Sequence, residues 1–417
     1  MSLPQSLAQK LIARAAGLES VTVGDIVTCK VDLAMFHDSS GPRRLKPMLD
    51  ELGARIWDKS KVVLVMDHCV PERDDAARKI VKIARDWARE QDLPHVYDSQ
   101  GICHVVVPQH GHIQPSMFCV GGDSHSPTGG AFGAYMFGIG STEMLGVVVT
   151  GKIWLRVPQT MAMNWSGQLS AGVCAKDMML HMIARFGMNG ANYQAVEFTG
   201  SAVKALSMQE RMTLCNMSAE LGAQTGLIAA DSTTRHWLKR PSGVADLASD
   251  PGCFDVELHF DASTLSPQLA APHSPAHGVP IQDYSTTRID VAYIGACTGA
   301  KLDDLRFAAR VVHGKKIASG VQLLIAPASL QDLAEAKAEG ILQSLQDAGA
   351  TLLPSACGAC AGYGSHFVDD QTIISTTARN FKGRMGPAST QVYLASSYTV
   401  AASALRGRIT DPREVLA

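Results

Sequence analysis

No apolar run in the 417-residue chain approaches the ~20 residues that a bilayer-spanning helix requires. An excess of charge of one sign is also missing: 37 Lys and Arg stand against 39 Asp and Glu, for a formal charge of −2. Such a chain has no general attraction for nucleic acid or an anionic membrane. Nor does it show the basic stripe of a nucleic-acid-binding regulator. Any anionic substrate must be drawn in by local arginines and helix ends. The opening Met1-Ser2-Leu3-Pro4-Gln5-Ser6 lacks a basic n-region and an apolar h-region, so secretion is not expected. The ten cysteines are scattered and mostly sit in apolar runs, as Cys29, Cys119 and Cys215 do. Seven of them read as reduced packing residues of a cytosolic protein. What remains is a composition of 46% hydrophobic residues, 37 glycines and 18% charge. It fits a soluble α/β enzyme with many tight turns, long enough for roughly two to four domains.

Taken in order, residues 5–16 read as a helix and 21–33 as strand with a turn at Gly24-Asp25. A helix is expected over 43–57. The continuous run from Lys61 to Met66 predicts a buried parallel strand that delivers Asp67-His68 at its end. Residues 74–91 put Ala77, Ile80, Val81, Ala84 and Trp87 on one helical face. Residues 102–107, with His104, read as strand, and so do 117–121, which end on Asp123-Ser124-His125. The glycines from 129 to 140 should bring backbone N–H groups close to an anion and lead into a helix reaching about residue 155. A strand follows at 160–164. Ser207 and Glu210 have capping-box spacing, which predicts a helix from 207 to about 222 with Asn216 and Glu220 on one face. Such a pair is equally at home on a solvated helix face. Residues 231–288 are rich in Ser, Pro, Asp and Gly, and their later part reads as a link. Beyond it, strands near 290–295, 321–326, 351–353, 371–376 and 390–394 alternate with helices near 301–312, 328–348 and 396–406.

The chemistry is densest at Cys357-Gly358-Ala359-Cys360, just past the apolar Thr351-Leu352-Leu353. Two thiols three positions apart can form a redox pair, half a zinc site, or two small buried residues. Cys297 changes the balance, because it too follows a strand-like run. Three thiols at strand ends can hold three irons of a [4Fe–4S] cluster and leave the fourth open as a Lewis acid. Cys297, the Cys357/Cys360 pair and Arg379 all fall beyond C-terminal strand ends, where open α/β sheets bind ligands.

With Asp67-His68-Cys69-Val70-Pro71, Gly122-Asp123-Ser124-His125, and Arg379-Asn380-Phe381-Lys382-Gly383-Arg384, the chain resembles the aconitase superfamily from about residue 20 onward. It is most similar to the large-subunit type of the two-subunit 3-isopropylmalate dehydratases and homoaconitases. The resemblance implies three α/β/α domains with mostly parallel sheets around a central cluster cleft. These would occupy residues 1–155, 156–286 and 287–417. It implies a hydro-lyase acting on an alkyl-substituted malate or another small di- or tricarboxylate. The cluster would be held by Cys297, Cys357 and Cys360. Asp67, His68, His104, Asp123, His125 and Glu220 would be catalytic. His37, Ser124, Asn216, Arg379 and Arg384 would bind substrate, the two arginines clamping a carboxylate by their planar forks. A carboxylate beside each imidazole raises its pKa and suits it to donate a proton to departing hydroxide. The family's swivelling domain, with its serine base, is expected on a separate small subunit.

Two departures from the family pattern stand out. Gly299 follows Cys297-Thr298 where asparagine is usual, and Ala378 precedes Arg379 where asparagine is usual. Losing amides that lie close to a cluster can retune it, so the alkyl group of the substrate stays open, with homoaconitase and methylmalate or dimethylmalate dehydratases as alternatives. Outside this class stands a zinc- or redox-using C-x-x-C protein without hydratase activity.

Overall fold

The run Val62-Val63-Leu64-Val65-Met66 forms a strand with every residue buried. It pairs in parallel with Leu33–His37 on one side and His95–Asp98 on the other. Phe118–Gly121 and then Tyr135–Gly138 continue the sheet in parallel beyond Leu33–His37. Strands buried on both faces cannot alternate polar with apolar residues, which is why these segments read as unbroken apolar runs. Burying each Val or Leu side chain contributes about 1.5–3 kcal/mol.

In this computed structural model the described residues are 3–239, 247–362 and 367–416. They belong to two units. The first comprises Met1–Ser99, Val106–Ser166 and Ala191–Phe260, and the second Gln100–Val105, Gly167–Gly190 and Asp261–Ala417. Besides the five-stranded sheet, the first unit contains a four-stranded sheet in the order Thr225–Leu227, Ala195–Thr199, Thr160–Ser166, Val256–Asp261. A two-stranded antiparallel ribbon joins Ile26–Lys30 to Lys152–Arg156.

The second unit is built on a seven-stranded sheet. Its parallel part runs Gln391–Ala395, Thr372–Ser375, Val291–Ile294, Gln322–Ile325, Ala350–Leu352. Two short antiparallel strands, Leu269–Ala270 and Gly278–Val279, finish one edge. All five strands expected in the last third are present. The long helix expected over 328–348 is two, Leu330–Ala338 and Ile341–Ala348, because Gly340 takes a left-handed φ of 73° between them. The five-stranded sheet draws its strands from residues 33–138, the four-stranded sheet from 160–261, and the parallel part of the seven-stranded sheet from 291–395.

Several local expectations are corrected. Residues 102–107 are not strand: Cys103–Gln109 is a helix carrying His104. An apolar run buried on all sides has no period by which helix and strand can be told apart. The glycine-rich stretch does lead into a helix after Gly140, but that helix stops at Thr150, short of residue 155. The stretch forms a 3₁₀ segment Ser126–Phe132, the strand Tyr135–Gly138, the helix Ser141–Thr150 and the strand Lys152–Arg156. Left-handed Gly133 and Gly151 end two of these pieces. The segment 21–33 is split between the ribbon and the main sheet. Ser207 and Glu210 do form the capping box, but the helix is Met208–Met217, so Glu220 lies in the turns beyond it. The Ser- and Pro-rich stretch holds a helix, Ser232–Leu238, and a strand, Val256–Asp261, and residues 240–246 within it lie outside the described residues.

Candidate active site

In the first unit three adjacent parallel strands, Val62–Met66, Leu33–His37 and Phe118–Gly121, end side by side. Their ends bring together His37-Asp38, Asp67-His68 and the segment Gly122–His125. The His37 and His68 rings stack with centroids 3.8 Å apart and planes 13° from parallel. His68 Nδ1 lies 2.6 Å from Asp67 Oδ1. The buried Asp38 carboxylate accepts the backbone N–H of His68 at 3.1 Å and of Cys69 at 2.7 Å. Asp123 Oδ2 faces both rings, 3.7 Å from His37 Nε2 and 3.9 Å from His68 Nε2. Ligand atoms of His37, Asp38, Asp67 and His68 lie within 4.8 Å of one another, close enough for an ion. With Asp38 engaged by two backbone N–H groups and Asp67 by His68, the set is already a preorganised proton-holding network.

A second pair closes on the same segment. His125 Nε2 is 2.9 Å from Glu220 Oε1, across 95 residues of sequence, while the His125 backbone N–H donates to Asp123 Oδ1 at 2.8 Å. Asn216 Nδ2 donates to Thr128 Oγ1 at 2.8 Å, and Thr128 Oγ1 donates to the His125 carbonyl at 2.7 Å. Ser124 is exposed. Close backbone packing demands glycine here: a Cβ on Gly121 would sit 1.9 Å from Ser126 Oγ, and one on Gly138 would sit 2.5 Å from the Asp123 carbonyl oxygen.

Burial disfavours the His68 imidazolium, but Asp67, and behind it Asp123 and Asp38, outweigh that and push its pKa up to about 9. Burial, then Asp67, pushes the Asp38 carboxyl up, against the pull of His68. A group whose pKa is raised on folding stabilises the fold below its unfolded value and loses that contribution as pH rises through the folded value. Stability from His68 should therefore be full below about pH 6.5 and fade toward pH 9, on the order of 3 kcal/mol in all. Urea midpoints at pH 6 and pH 9.5 check this: wild type should lose more over that interval than His68→Asn. Equal losses would refute it.

The thiols and arginines lie in the second unit. Cys297 comes three residues after the strand Val291–Ile294, preceded by Ala296 at a left-handed φ of 68°. Cys357 and Cys360 share one tight turn, closed by the Cys360 N–H donating to the Cys357 carbonyl at 3.0 Å. Cys297 and Cys360 are buried and Cys357 is half-buried. Burial, then charge at Cys360 and Cys357, pushes the Tyr293 phenol far up, and Ala359, between the two thiols, packs in one buried cluster with Val291 and Tyr293 of the strand leading to Cys297. Arg379 follows the neighbouring strand Thr372–Ser375 and is half-buried, as is Arg384. Arg384 Nε is buried with no hydrogen-bond partner among the described residues, and so is Ser355 Oγ at the start of the cysteine turn. His104 sits on its helix within the Gln100–Val105 part of this unit and is buried.

Two buried lysines went unnoticed in the sequence. Lys301 Nζ donates to the Cys297 carbonyl at 3.0 Å and to Asp304 Oδ2 at 2.8 Å. Lys176 Nζ donates to Thr298 Oγ1 at 3.2 Å, to the Thr377 carbonyl at 2.9 Å and to the Thr376 carbonyl. Burial pulls the Lys176 pKa down to about 8, with Asp304 and then Cys174 opposing. The available signal was a charged pair, Lys176-Asp177, opening the Met-rich helix Ala175–Phe186. Asp38 was likewise missed, although it directly follows His37. The departure at Gly299 has a steric counterpart, since a Cβ there would meet Thr376 Cβ at 2.1 Å. Ala378 is fully buried.

The donor set suits an iron–sulfur cluster: three thiols from two loops, an orphaned hydroxyl beside them, and buried ammonium groups to balance thiolate charge. The Aconitase family (aconitate hydratase) matches residues 10–288 and 282–407. A Methanopyrus kandleri protein named 3-isopropylmalate dehydratase large subunit 1 is 41% identical over 418 residues, covering 99% of this chain and 100% of its own. A probable methanogen homoaconitase large subunit from Methanothermobacter thermautotrophicus is 37% identical, covering 98% of each. The crystal structure of Thermococcus kodakaraensis aconitase X (holo-form) shares the fold at a TM-score of 0.50, with 13% identity and 90% coverage of each chain.

Proposed function

The chain belongs to the aconitase family and is a hydro-lyase, and from that premise we propose that it is the large subunit of a 3-isopropylmalate dehydratase. The enzyme would dehydrate an alkyl-substituted malate and rehydrate the product to its isomer. The observation that carries the substrate reading is the end-to-end likeness to a 3-isopropylmalate dehydratase large subunit. Likeness to a homoaconitase large subunit supports a second reading, a tricarboxylate of the homoaconitate kind. The words "large subunit" in both names support a small-subunit partner, to which the reading assigns the swivelling domain.

The chain's three domains would be 1–155, 156–286 and 287–417, with the cluster thiols on the third. Bound to Cys297, Cys357 and Cys360, a [4Fe–4S] cluster would supply a Lewis-acidic iron with an open position for the leaving hydroxyl. Lys176 and Lys301 would balance the thiolate charge around it. Arg379 and Arg384 take a substrate carboxylate, and the unpartnered Arg384 Nε supports that role. His68, held by Asp67 and kept protonated through neutral pH, donates a proton to the departing oxygen. His125, oriented by Glu220, serves the same oxygen with Asp123, and His104 lends a further buried imidazole. His37, Ser124 and Asn216 complete the binding set, Ser124 by its exposed hydroxyl. A reducing, cytosolic setting goes with this reading, supported by ten cysteines scattered along a long chain and mostly set in apolar runs.

The test is anaerobic co-purification with the small subunit, followed by a panel of 2- and 3-alkylmalates and homoaconitate. Turnover with the highest kcat/KM for 3-isopropylmalate is expected. A preference for homoaconitate would install the second reading. A colourless preparation with stoichiometric zinc and no hydratase activity would overturn both.

A further inference from the structure

A lysine in the first turn of a helix faces the positive end of the helix dipole, and taking its ammonium out of water is costly unless every proton finds an acceptor. Lys176 meets both disadvantages: it is the second residue of the helix Ala175–Phe186 and only 1% exposed. Its three N–H donors are all used, on Thr298 Oγ1 and on the carbonyls of Thr376 and Thr377. These acceptors belong to two different loops. Thr298 adjoins Cys297 after one strand, and Thr377 precedes Arg379 by two residues after the neighbouring strand. Thr298 Oγ1 donates on to the Thr376 carbonyl at 2.9 Å, and Thr376 Oγ1 bonds both the N–H and the carbonyl of Gly295. One ammonium is therefore the node at which the cysteine-bearing loop and the arginine-bearing loop are fastened.

We propose that Lys176 is a positioning residue: it holds the Cys297 loop in register with the Arg379 loop and so sets both cluster retention and substrate-carboxylate affinity. The inference rests on the hydro-lyase reading for what the two loops bind, but not for the fastening itself. Partners one step behind metal ligands commonly cost 10–100-fold in metal affinity when removed. Loss of the node should act on two loops at once, which a local packing defect would not do.

The experiment uses the full chain, with Lys176→Met keeping the apolar stem and removing the ammonium. In the metal-free protein, iodoacetamide should label Cys297 about tenfold faster than in wild type, with Cys119 unchanged, by mass spectrometry. In the reconstituted protein a chelator should strip iron about tenfold faster. With the small subunit added, KM for the dicarboxylate should rise about tenfold while kcat changes less. Should Lys176→Met fail to fold, Thr298→Val removes only the hydroxyl link, and the same three shifts are expected in the same direction. Thr298→Ser, which restores the hydroxyl, should reverse them. A folded Lys176→Met or Thr298→Val protein with native labelling, iron loss and KM would overturn the proposal. If wild type took up no cluster, faster Cys297 labelling in the variant would still uphold the fastening while the cluster reading fell.

Discussion

Cys297→Ser should fold, remain colourless after anaerobic reconstitution, and carry no stoichiometric iron and sulfide. The substitution is nearly isosteric, and the backbone around it is held independently. The Cys297 carbonyl accepts from Lys301 Nζ, and Gly295 is bonded on both its N–H and its carbonyl by Thr376. The loop should therefore keep its path while the soft thiolate ligand is replaced by a hydroxyl that iron does not hold well at neutral pH. Three protein thiols leave no spare, so losing one should abolish the absorbance rather than weaken it. Cys69→Ala is the matched control. Its thiol is pushed up to about 12 by burial and then by Asp38, so it is an inert packing group, and its replacement should leave the colour intact. A full cluster in the Cys297→Ser protein would overturn the three-thiol assignment.

The chain alone should not turn over substrate, and adding the small subunit should restore activity. Dehydration needs a base for a poorly acidic C–H proton as well as an acid for the departing hydroxyl. The groups assigned here are acids, hydrogen-bond donors and carboxylate binders: His68 protonated to about pH 9, His125 against Glu220, and the guanidinium groups of Arg379 and Arg384. A positioned base contributes about 10²–10⁴-fold, so turnover by the isolated chain should fall at least ~100-fold short of the complex. Titrating purified small subunit into the reconstituted chain, and following absorbance of the unsaturated product, reads the effect directly. Full activity without the partner, unchanged by its addition, would mean that the base lies within these 417 residues.

Much of the framework was legible because local chemistry leaves a period or a cap in the sequence. The apolar run ending on Asp67-His68, the capping box of Ser207 and Glu210, and the five strands of the last third each have a signature a few residues long. The candidate residues stood out for the same reason, since Asp-His, Asp-Ser-His, Cys-x-x-Cys and Arg-Asn-Phe-x-Gly-Arg are short motifs at strand ends. The errors came where the local signal is ambiguous. Cys103–Gln109 is apolar without a period, and the glycine-rich stretch breaks where Gly133 and Gly151 turn left-handed.

The sequence alone determined most of the strands, several helix caps and the family, because these depend on neighbours along the chain. Only the tertiary structure decided which groups work together. His125 meets Glu220 across 95 residues, and Lys176 meets Thr298 across 122 and Thr377 across 201. Such pairings follow from which strands lie side by side and from how loops close over their ends, and no spacing in the sequence records that. The same holds for protonation. His68 is a titratable imidazole in any chain, but its pKa of about 9 exists only where Asp67, Asp123 and Asp38 are folded around it, out of water.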